Sequence, residues 1–376
     1  MLVRIRLYGQ RNVLGGGIHF SAFATGLRSM NVVGSVVEEV DALNPVALAN
    51  ARTTSRTTDI NIWFIPIPAM HAFAGATIIW AIFESDVLPS KFIRDLASAH
   101  VIWVPSAWGR DVLVRNGLLP QQIDVVPEGV SASTYHPFLR GDRSARDDIF
   151  YFLALGKYEQ RKGYESLLAG FKQAFEGNPA VRLIIKGDFF LKSEEKRVAL
   201  QRLVSATGVR NVSLLWGNWS SELIFGLYNK ADCFVFPSRA EGWGLPLIEA
   251  IASGLPVIST YYSGHTEYLS RIRGRFREID FQLEPIADRE YLQYWDDMPP
   301  GRPPHWAAPS AESVAYHMTR VLENRSEERS AALQNSLEIR TSFNWQGMLD
   351  KALHCLVRRG LVKLHVEFTG APFNDL

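Results

Sequence analysis

Residues 231–269 read ADCFVFPSRAEGWGLPLIEAIASGLPVISTYYSGHTEYL. The apolar run Cys233 to Phe236 is short and ends at a Pro-Ser pair, which is typical of a buried parallel strand. A glycine-bearing loop follows, and Pro246 then opens an apolar helix that stops at Gly254 before a second apolar run. The stretch therefore predicts a β-loop-α-β unit, in which ligands are met by the loop at the carboxyl end of the first strand.

Two carboxylates mark this unit. Glu249 is the sole charge between Gly242 and His265, on a helix that is otherwise apolar, and burying it without a partner would be costly. Glu241 lies in the loop, with seven residues between the two, so both can face one crevice near backbone N–H groups. Carboxylates accept hydrogen bonds from hydroxyl groups, and exposed amides donate hydrogen bonds to phosphate or sugar oxygens. A nucleotide sugar carries hydroxyl groups as well as phosphate oxygens. The alternative for Glu249 is a first-turn glutamate favoured by the helix dipole.

The segment FPSRAEGWGLPLIEAIASGLPVIST (236–260) resembles the retaining GT-B glycosyltransferases of family 4, whose signature is Glu, seven residues, Glu in this setting. The resemblance implies that Glu241 contacts the donor sugar with a catalytic role and that Glu249 binds the ribose hydroxyls. It also places the loop backbone around the sugar, at Gly242, Trp243, Gly244 and Leu245. It further implies transfer with retention of anomeric configuration and no metal requirement.

At 376 residues the chain is long enough for two domains with separate cores. Short apolar runs alternate with helical stretches, which is a doubly wound α/β pattern. Together with the resemblance, this predicts a GT-B fold of two Rossmann-like domains that face a central cleft. The charged segment 139–148 (LRGDRSARDD) predicts the interdomain linker. We expect an acceptor-side domain at 1–142 and a nucleotide-sugar-binding domain at 143–342, and the resemblance implies that residues 343–376 return to the first domain as its last helix.

A basic turn follows the first predicted strand of the second half. Lys157, Arg161 and Lys162 lie between Gly156 and a helix that starts at Tyr164. Lysines at the carboxyl end of a strand, beside a helix start, are well placed for a diphosphate, whereas the alternative is a solvated basic turn. The resemblance favours donor binding by Lys157 and Lys162, and Lys162 would also stabilise the departing diphosphate during catalysis.

In the first half, Gly15, Gly16 and Gly17 form a predicted loop before the helix SAFATGLRSM. They fit a dinucleotide fingerprint poorly, because Phe20 stands where close helix–strand packing needs Gly or Ala. A plain glycine turn and a phosphate cradle both remain open on this pattern. The resemblance favours the cradle, with Gly16 and Gly17 toward the donor phosphates and the acceptor.

Glu84 ends the strand-like run TIIWAIFE of the first half. Many members of the resembled family carry a histidine at what looks like the same place, so we expect Glu84 to open onto the cleft across from Glu241. A carboxylate there could accept a hydrogen bond from the attacking hydroxyl or hold the sugar. The alternatives are a solvent-facing glutamate, with the role passing to Asp86, or to His71 and the glycine loop.

Composition limits the partners and the compartment. The net charge of +1 gives no field for nucleic acid, and 47% apolar with 21% charged residues is ordinary for a soluble globular protein. Two distant cysteines, Cys233 and Cys355, do not suggest disulfides and favour a reducing, cytoplasmic setting. No His, Cys or carboxylate cluster has ligand spacing, so we expect neither a metal nor a cofactor besides the donor substrate.

Two further segments carry expectations. Arginines alternate with other residues from Arg271 to Arg277, which predicts a basic strand face that is either solvated or in contact with anionic lipid or an acceptor phosphate. A peripheral position at the inner membrane face therefore stays open. Residues 295–309, rich in proline, are expected to form a loop without regular structure.

The leading interpretation is thus a glycosyltransferase that moves a sugar from a nucleoside-diphosphate sugar to a hydroxyl acceptor. Glycan, lipid-linked and natural-product acceptors are all compatible with the motifs, and the sequence indicates no oligomeric state. One alternative is a Rossmann-type NAD-dependent oxidoreductase, which leaves the paired glutamates unexplained. Another is a non-catalytic nucleotide-sugar-binding subunit that kept the fold without turnover.

Overall fold

The computed structural model of the chain describes residues 3–12, 15–30, 35–64, 70–137, 149–187, 193–293 and 297–362. The predicted linker 139–148 and the tail from residue 363 lie outside these ranges. The chain divides into two compact units, of which the first comprises residues 1–129, 293–303 and 343–376, and the second comprises residues 130–292 and 304–342. Segment 130–137, on the N-terminal side of the boundary expected from sequence, thus belongs to the second unit.

Strands and helices alternate along the described residues. The strands are β1 Val3–Gly9, β2 Ser35–Asp41, β3 Ile60–Trp63, β4 Ala76–Trp80, β5 Val101–Val104, β6 Ile123–Val125, β7 Phe150–Leu155, β8 Val181–Gly187, β9 Val212–Trp216, β10 Cys233–Phe236, β11 Val257–Thr260, β12 Arg277–Ile279, β13 Phe281–Pro285 and β14 His305–Pro309. The helices are α1 Gly15–Ser29, α2 Pro45–Thr53, α3 Ser90–Ala97, α4 Ala107–Arg115, α5 Tyr164–Phe175, α6 Ser193–Thr207, α7 Ser221–Lys230, α8 Leu245–Ala252, α9 Thr266–Leu269, α10 Arg289–Gln293, α11 Ala311–Glu323, α12 Arg325–Ser342 and α13 Trp345–Arg358.

Each unit is built on one parallel six-stranded sheet. The order in the first unit is β2-β1-β3-β4-β5-β6, and the order in the second unit is β12-β11-β10-β7-β8-β9. In the second sheet, the direction in which the chain adds strands reverses between β7 and β10. Ligands of doubly wound proteins bind at such a switch point, outside the carboxyl ends of the strands. The predicted doubly wound α/β architecture is confirmed.

Burial explains why these segments become strands and helices. All four residues of β5 and of β10 are buried, as strands covered on both faces must be. Several helices begin at polar caps whose side chains accept a hydrogen bond from the first turn, such as Ser106 before α4 and Asn344 before α13. Helix α13 packs with α1 on one face of the first sheet, through Phe20, Phe23, Leu27, Leu349, Leu353 and Leu356.

The glycine-rich segment differs from the expected loop. Helix α1 already begins at Gly15, so all three glycines form its first turn. Close packing of strand on helix comes instead from Gly9 at the end of β1, where an added Cβ would lie 2.3 Å from the ring of Phe20. A large residue on the helix is thus tolerated because the glycine stands on the strand.

The expected basic strand face does not form. Residues 270–272 are a 3₁₀ turn, Gly274 has φ +82, and β12 starts only at Arg277. The guanidinium of Arg277 pairs with the buried carboxyl of Glu328. The guanidinium of Arg273 lies 4.6 Å from the ring centroid of Tyr261. Because a left-handed glycine breaks the alternation, these arginines serve separate contacts.

The proline-rich segment also differs from the expected loop at its end. Residues 305–309 form β14, which pairs antiparallel with β13. The side chain of Trp306 is fully buried against Ala240 and Ile286. The proline content of the segment gave no indication of this burial. Pro309 stands at the last position of the strand, where a missing N–H is tolerated.

A buried acid–base pair lies in the first unit. His19 on α1 and Glu128 after β6 are 1% and 3% exposed, and Nδ1 of His19 is 3.7 Å from Oε2 of Glu128. The rings of Trp80 and Trp345 lie 4.3 and 5.8 Å from the imidazole. Burial lowers the pKa of His19 to about 3 and raises the pKa of Glu128 to about 8. At neutral pH both groups are therefore held mainly in their uncharged forms.

These pKa values predict a pH dependence of stability. A carboxyl whose folded pKa is raised stabilises fully below its unfolded value of 4.5, and the contribution is lost as pH rises toward about 8. Between pH 4.5 and 7 the loss from Glu128 should reach about 3 kcal/mol. Glu128→Gln keeps the shape without the ionisation, so its free energy of unfolding should not show this loss. Denaturant unfolding of both proteins at pH 5, 6, 7 and 8 measures it, and parallel pH curves would contradict the prediction.

Candidate active site

The loop between β10 and α8 lies at the switch point of the second sheet. Gly244, with φ +89, precedes the first residue of α8, and its carbonyl accepts a hydrogen bond from the Tyr268 hydroxyl at 2.9 Å. The loop after β11 packs tightly on it, because an added Cβ at Gly264 would lie 1.9 Å from the carbonyl oxygen of Gly242. Only glycine fits at this approach of two backbones. The carboxyl ends of β10 and β11 are thus joined into one rigid surface.

Glu241 is the buried anion of this loop. Its side chain is 7% exposed, with Oε1 2.7 Å from Nζ of Lys162 and Oε2 3.0 Å from Nη1 of Arg161. The hydroxyl of Ser238 donates to Oε1 at 2.5 Å. Burial alone would raise the pKa of the Glu241 carboxyl, but the two cations and these hydrogen bonds outweigh it and lower the pKa to about 2. The structure therefore brings together Glu241 and Lys162, both predicted from sequence.

Arg161 is a site residue that the sequence-based prediction did not include, although it stands beside Lys162. It is 9% exposed, donates to the carbonyl of Ala240 at 2.7 Å and pairs with Glu159 at 2.9 Å. Its own carbonyl accepts the Arg239 N–H at 2.7 Å. Arg161 thus ties the basic turn to the β10 loop, and its position one residue before a predicted phosphate lysine was the signal available in the sequence.

The turn itself is held by Gly163. This residue has φ +68 and precedes α5, and an added Cβ would lie 2.1 Å from the carbonyl oxygen of Pro237. A small cavity lies beside it, at the carboxyl ends of β7 and β10. Its lining is Ala154, Leu155, Lys162, Tyr164, Val235, Phe236 and Pro237. The basic turn is therefore packed against the strand end that precedes Glu241.

The basic turn gives the site a positive charge. Lys157, half-buried after β7, acts with Arg161, Lys162 and Lys196 on Glu159. Burial would raise the pKa of Glu159, but the charges of these four residues lower it below its usual value. Lys157, Arg161 and Lys162 thus place three cations around Glu159 and Glu241 at the carboxyl end of β7.

Glu249 lies one turn into α8 and is 8% exposed. Its Oε2 accepts a hydrogen bond from the Tyr228 hydroxyl at 3.1 Å, and its charge acts on the hydroxyl of Tyr135. Trp243 and Leu245 are buried, with the Trp243 ring 5.0 Å from that of Tyr268. The side chains of Trp243 and Leu245 therefore serve packing, and any contact of these two residues with a ligand comes from their backbone atoms.

His265 is a second residue that the prediction missed. It is fully buried, and Nε2 lies 2.8 Å from the carbonyl of Thr260, so Nε2 carries the hydrogen. Burial outweighs the charge of Glu241 and lowers the pKa of His265 to about 4. Within the described part of the chain, Nδ1 has no hydrogen-bond partner. A neutral imidazole, positioned by the strand beside it, thus stands near Glu241, and nothing in the spacing of the motif marks it.

The predicted residues of the first half lie in the first unit. Gly16 has open space where a Cβ would stand, whereas a Cβ added at Gly17 would lie 2.3 Å from Oδ1 of Asn12. Glu84 is half-buried and lies four residues beyond the end of β4, so it does not end the strand as expected. Asp86 is half-buried, and His71 is exposed in a 3₁₀ turn. The approach of Glu84 to Glu241 stays a prediction.

Among the residues that the structure covers, no group of three or more His, Cys, Asp and Glu side chains is arranged to hold a metal ion. In the same residues, no helix is both long and apolar enough to cross a bilayer.

Comparison with known proteins gives a family match for the second half. Residues 137–271 match the family described as Glycosyl transferases group 1. The matched residues contain the basic turn, Glu241 and Glu249, and the match supports the predicted glycosyltransferase class.

Relatives and solved structures agree with this. Over 186 residues, 47% of this chain, the sequence is 31% identical to mannosylfructose-phosphate synthase from Agrobacterium fabrum. Over 157 residues, 39% of the chain, it is 31% identical to a D-inositol 3-phosphate glycosyltransferase from Segniliparus rotundus. The chain spans less than half the length of these curated relatives, 41% and 33%.

Two solved structures match nearly the whole chain. Sucrose-phosphate synthase from Thermosynechococcus elongatus superimposes with a TM-score of 0.72 at 16% identity, over 94% of this chain and 98% of that one. HepE from Anabaena, solved with UDP and glucose, superimposes with a TM-score of 0.69 at 14% identity, over 95% of this chain and 100% of that one. The chain therefore has the predicted GT-B fold.

The packing of Gly163 on Pro237 gives a stability prediction. Gly163→Ala should lower the free energy of unfolding by about 2–3 kcal/mol or more, because the new Cβ meets backbone and the residue is left-handed. Gly177→Ala is the matched control, since Gly177 has φ +75 with nothing within 4 Å, and it should cost only about 1–2 kcal/mol. Denaturant unfolding followed by tryptophan fluorescence compares them. Equal losses would show that the basic turn is not anchored there.

Proposed function

We propose that the chain is a glycosyltransferase that moves a sugar from a nucleoside-diphosphate sugar to a hydroxyl acceptor, with retention of anomeric configuration and without a metal ion. The observation that carries the proposal is the buried cluster of Glu241, Lys162 and Arg161 at the switch point of a group 1 domain. A UDP complex of a structure with the same fold supports a nucleotide donor.

The donor's diphosphate would lie at the basic turn. Lys162 has three N–H donors, of which Glu241 takes one, so the ammonium can bond both Glu241 and a phosphate oxygen. In the transfer, the bond between the anomeric carbon and the diphosphate oxygen breaks, and the electron pair leaves with the diphosphate. The acceptor oxygen bonds the same carbon, and its hydroxyl proton passes to an oxygen of the departing diphosphate. The positive turn would stabilise the charge that grows on the leaving group, which is the part that a metal ion plays elsewhere.

Glu241 would bind the sugar of the donor, and Glu249 would bind its ribose. Glu241, ionised at neutral pH, can accept hydrogen bonds from sugar hydroxyls, and the backbone of Gly242 to Leu245 would line the sugar. Glu249 would accept from the ribose hydroxyls. The oxidoreductase alternative is not favoured, because the domain match and the paired glutamates are explained by glycosyl transfer.

A thermal-shift screen tests the proposal. Purified protein is heated with UDP, GDP, ADP, TDP and their common sugar conjugates. A ligand at a hundred times its dissociation constant stabilises by about 2.7 kcal/mol, so one nucleotide class should raise the melting temperature clearly. Donor hydrolysis followed by NMR in EDTA should then release a sugar with the donor's anomeric configuration. Stabilisation by NAD alone would contradict the proposal, and tight nucleotide binding without hydrolysis or transfer would favour a non-catalytic subunit.

Lys162→Ala should reduce turnover more than donor affinity, because its charge meets the leaving diphosphate most strongly in the transition state. The loss of one such donor typically costs about 10²–10³ in rate. Lys172→Ala is the control, since it removes a lysine of α5 whose ammonium lies 3.7 Å from Glu176, away from the loop. Steady-state kinetics with the stabilising donor separate kcat from KM. A loss of affinity with unchanged kcat would make Lys162 a binding residue only.

Glu84→Ala should lower transfer by orders of magnitude and leave nucleoside-diphosphate affinity intact, if its carboxyl meets the acceptor hydroxyl. Asp86→Ala is the matched change two residues away and should retain most of the activity. Transfer assays and titration of the diphosphate into both variants measure this. A large loss in Asp86→Ala with normal transfer by Glu84→Ala would assign the role to Asp86.

A further inference from the structure

We propose that Tyr135 and Tyr228 are positioning residues, which hold the Glu249 carboxyl in the orientation that receives the ribose of the donor. The inference rests on the proposed function and adds to it two residues that the motif does not contain.

Tyr228 approaches Glu249 from α7. The residue is fully buried, and its hydroxyl lies 3.1 Å from Oε2 of Glu249 and 2.9 Å from the carbonyl oxygen of Pro246. Both of these atoms are acceptors, so the single hydroxyl hydrogen is shared between them. Since Pro246 stands in the first turn of α8, Tyr228 links the start of that helix to the carboxyl one turn further on.

Tyr135 approaches from segment 130–137, which belongs to the second unit. Its ring lies 5.9 Å from that of Tyr228, edge to face, and Glu249 and Ser221 both act on its hydroxyl, from which we infer that this hydroxyl donates to the Glu249 carboxyl. Burial, with the Glu249 charge next in size, raises the pKa of Tyr135 well above its usual value. The hydroxyl therefore keeps its hydrogen and remains a donor at any physiological pH.

Two donors from different segments fix the carboxyl more firmly than one. A carboxylate has about four lone-pair sites, so a carboxyl that accepts from tyrosine hydroxyls can also accept from ribose hydroxyls. A free glutamate side chain would lose rotamer freedom on binding, whereas one that is already held would not. Stability alone does not explain this network. An apolar residue at position 249, like those at the other buried positions of α8, would cost less to bury than a carboxylate.

The test uses three substitutions that each remove one hydroxyl and keep the ring. Tyr135→Phe and Tyr228→Phe act on Glu249. Tyr8→Phe is the matched control, because the Tyr8 hydroxyl is also buried and bonds a side chain, Asn61, but in the first unit. Each protein is titrated by calorimetry with the nucleoside diphosphate that stabilises it most and with the 2′,3′-dideoxy counterpart of that nucleotide.

We expect both Glu249-directed variants to bind the ribonucleotide about tenfold more weakly and the dideoxynucleotide as the unchanged protein does. Tyr8→Phe should change neither affinity. Equal weakening of both nucleotides would mean that the tyrosines serve folding alone, and unchanged ribonucleotide affinity would also overturn the inference. If Tyr228→Phe fails to fold, Tyr135→Phe decides. Glu249→Ala tests the proposed function separately from the inference about the tyrosines. If this variant binds the ribonucleotide normally, the proposed donor site is wrong.

Discussion

The burial of the Glu241 carboxylate is the constraint on which the second unit depends. A buried anion costs several kcal/mol unless cations and hydrogen bonds compensate for it. Here Lys162, Arg161 and Ser238 supply them, and each comes from a segment at the carboxyl end of β7 or β10. The basic turn and the glycine loop must therefore fold onto each other. The same arrangement gathers cationic side chains at the basic turn, where the proposed function places the diphosphate.

The sheet topology explains why this cluster forms where it does. Strands β7 and β10 are neighbours in space although about 80 residues separate them along the chain, because the second sheet reverses its direction between them. Glycines at positions 163 and 264 then allow backbones to approach that any side chain would hold apart. The surroundings of Glu249 have the same character, since Tyr228 and Tyr135 come from α7 and from segment 130–137.

Part of this arrangement was predictable from local pattern. The apolar runs predicted the strands that line the site, whereas Glu241 and Lys162 were predicted from the glutamate spacing and the basic turn together with the family resemblance. Residues that act through long-range contacts were not predictable. The sequence around Tyr135, Ser238 and His265 does not indicate which groups these side chains contact. Two expectations failed for local reasons: Gly274 interrupts the arginine alternation, and Trp306 turns part of the proline-rich segment into a strand. The glycine triplet opens α1 because Gly9, on the strand, already gives the close approach.

A crystal structure with the nucleoside diphosphate that best stabilises the protein tests the central claim most directly. The account predicts phosphate oxygens within hydrogen-bond distance of Nζ of Lys162, and ribose hydroxyls on the carboxyl of Glu249. The contacts of Glu249 with Tyr135 and Tyr228 should be unchanged from those described above. A nucleotide bound at the first turn of α1 in the first unit, with the Glu241 cluster untouched, would contradict it.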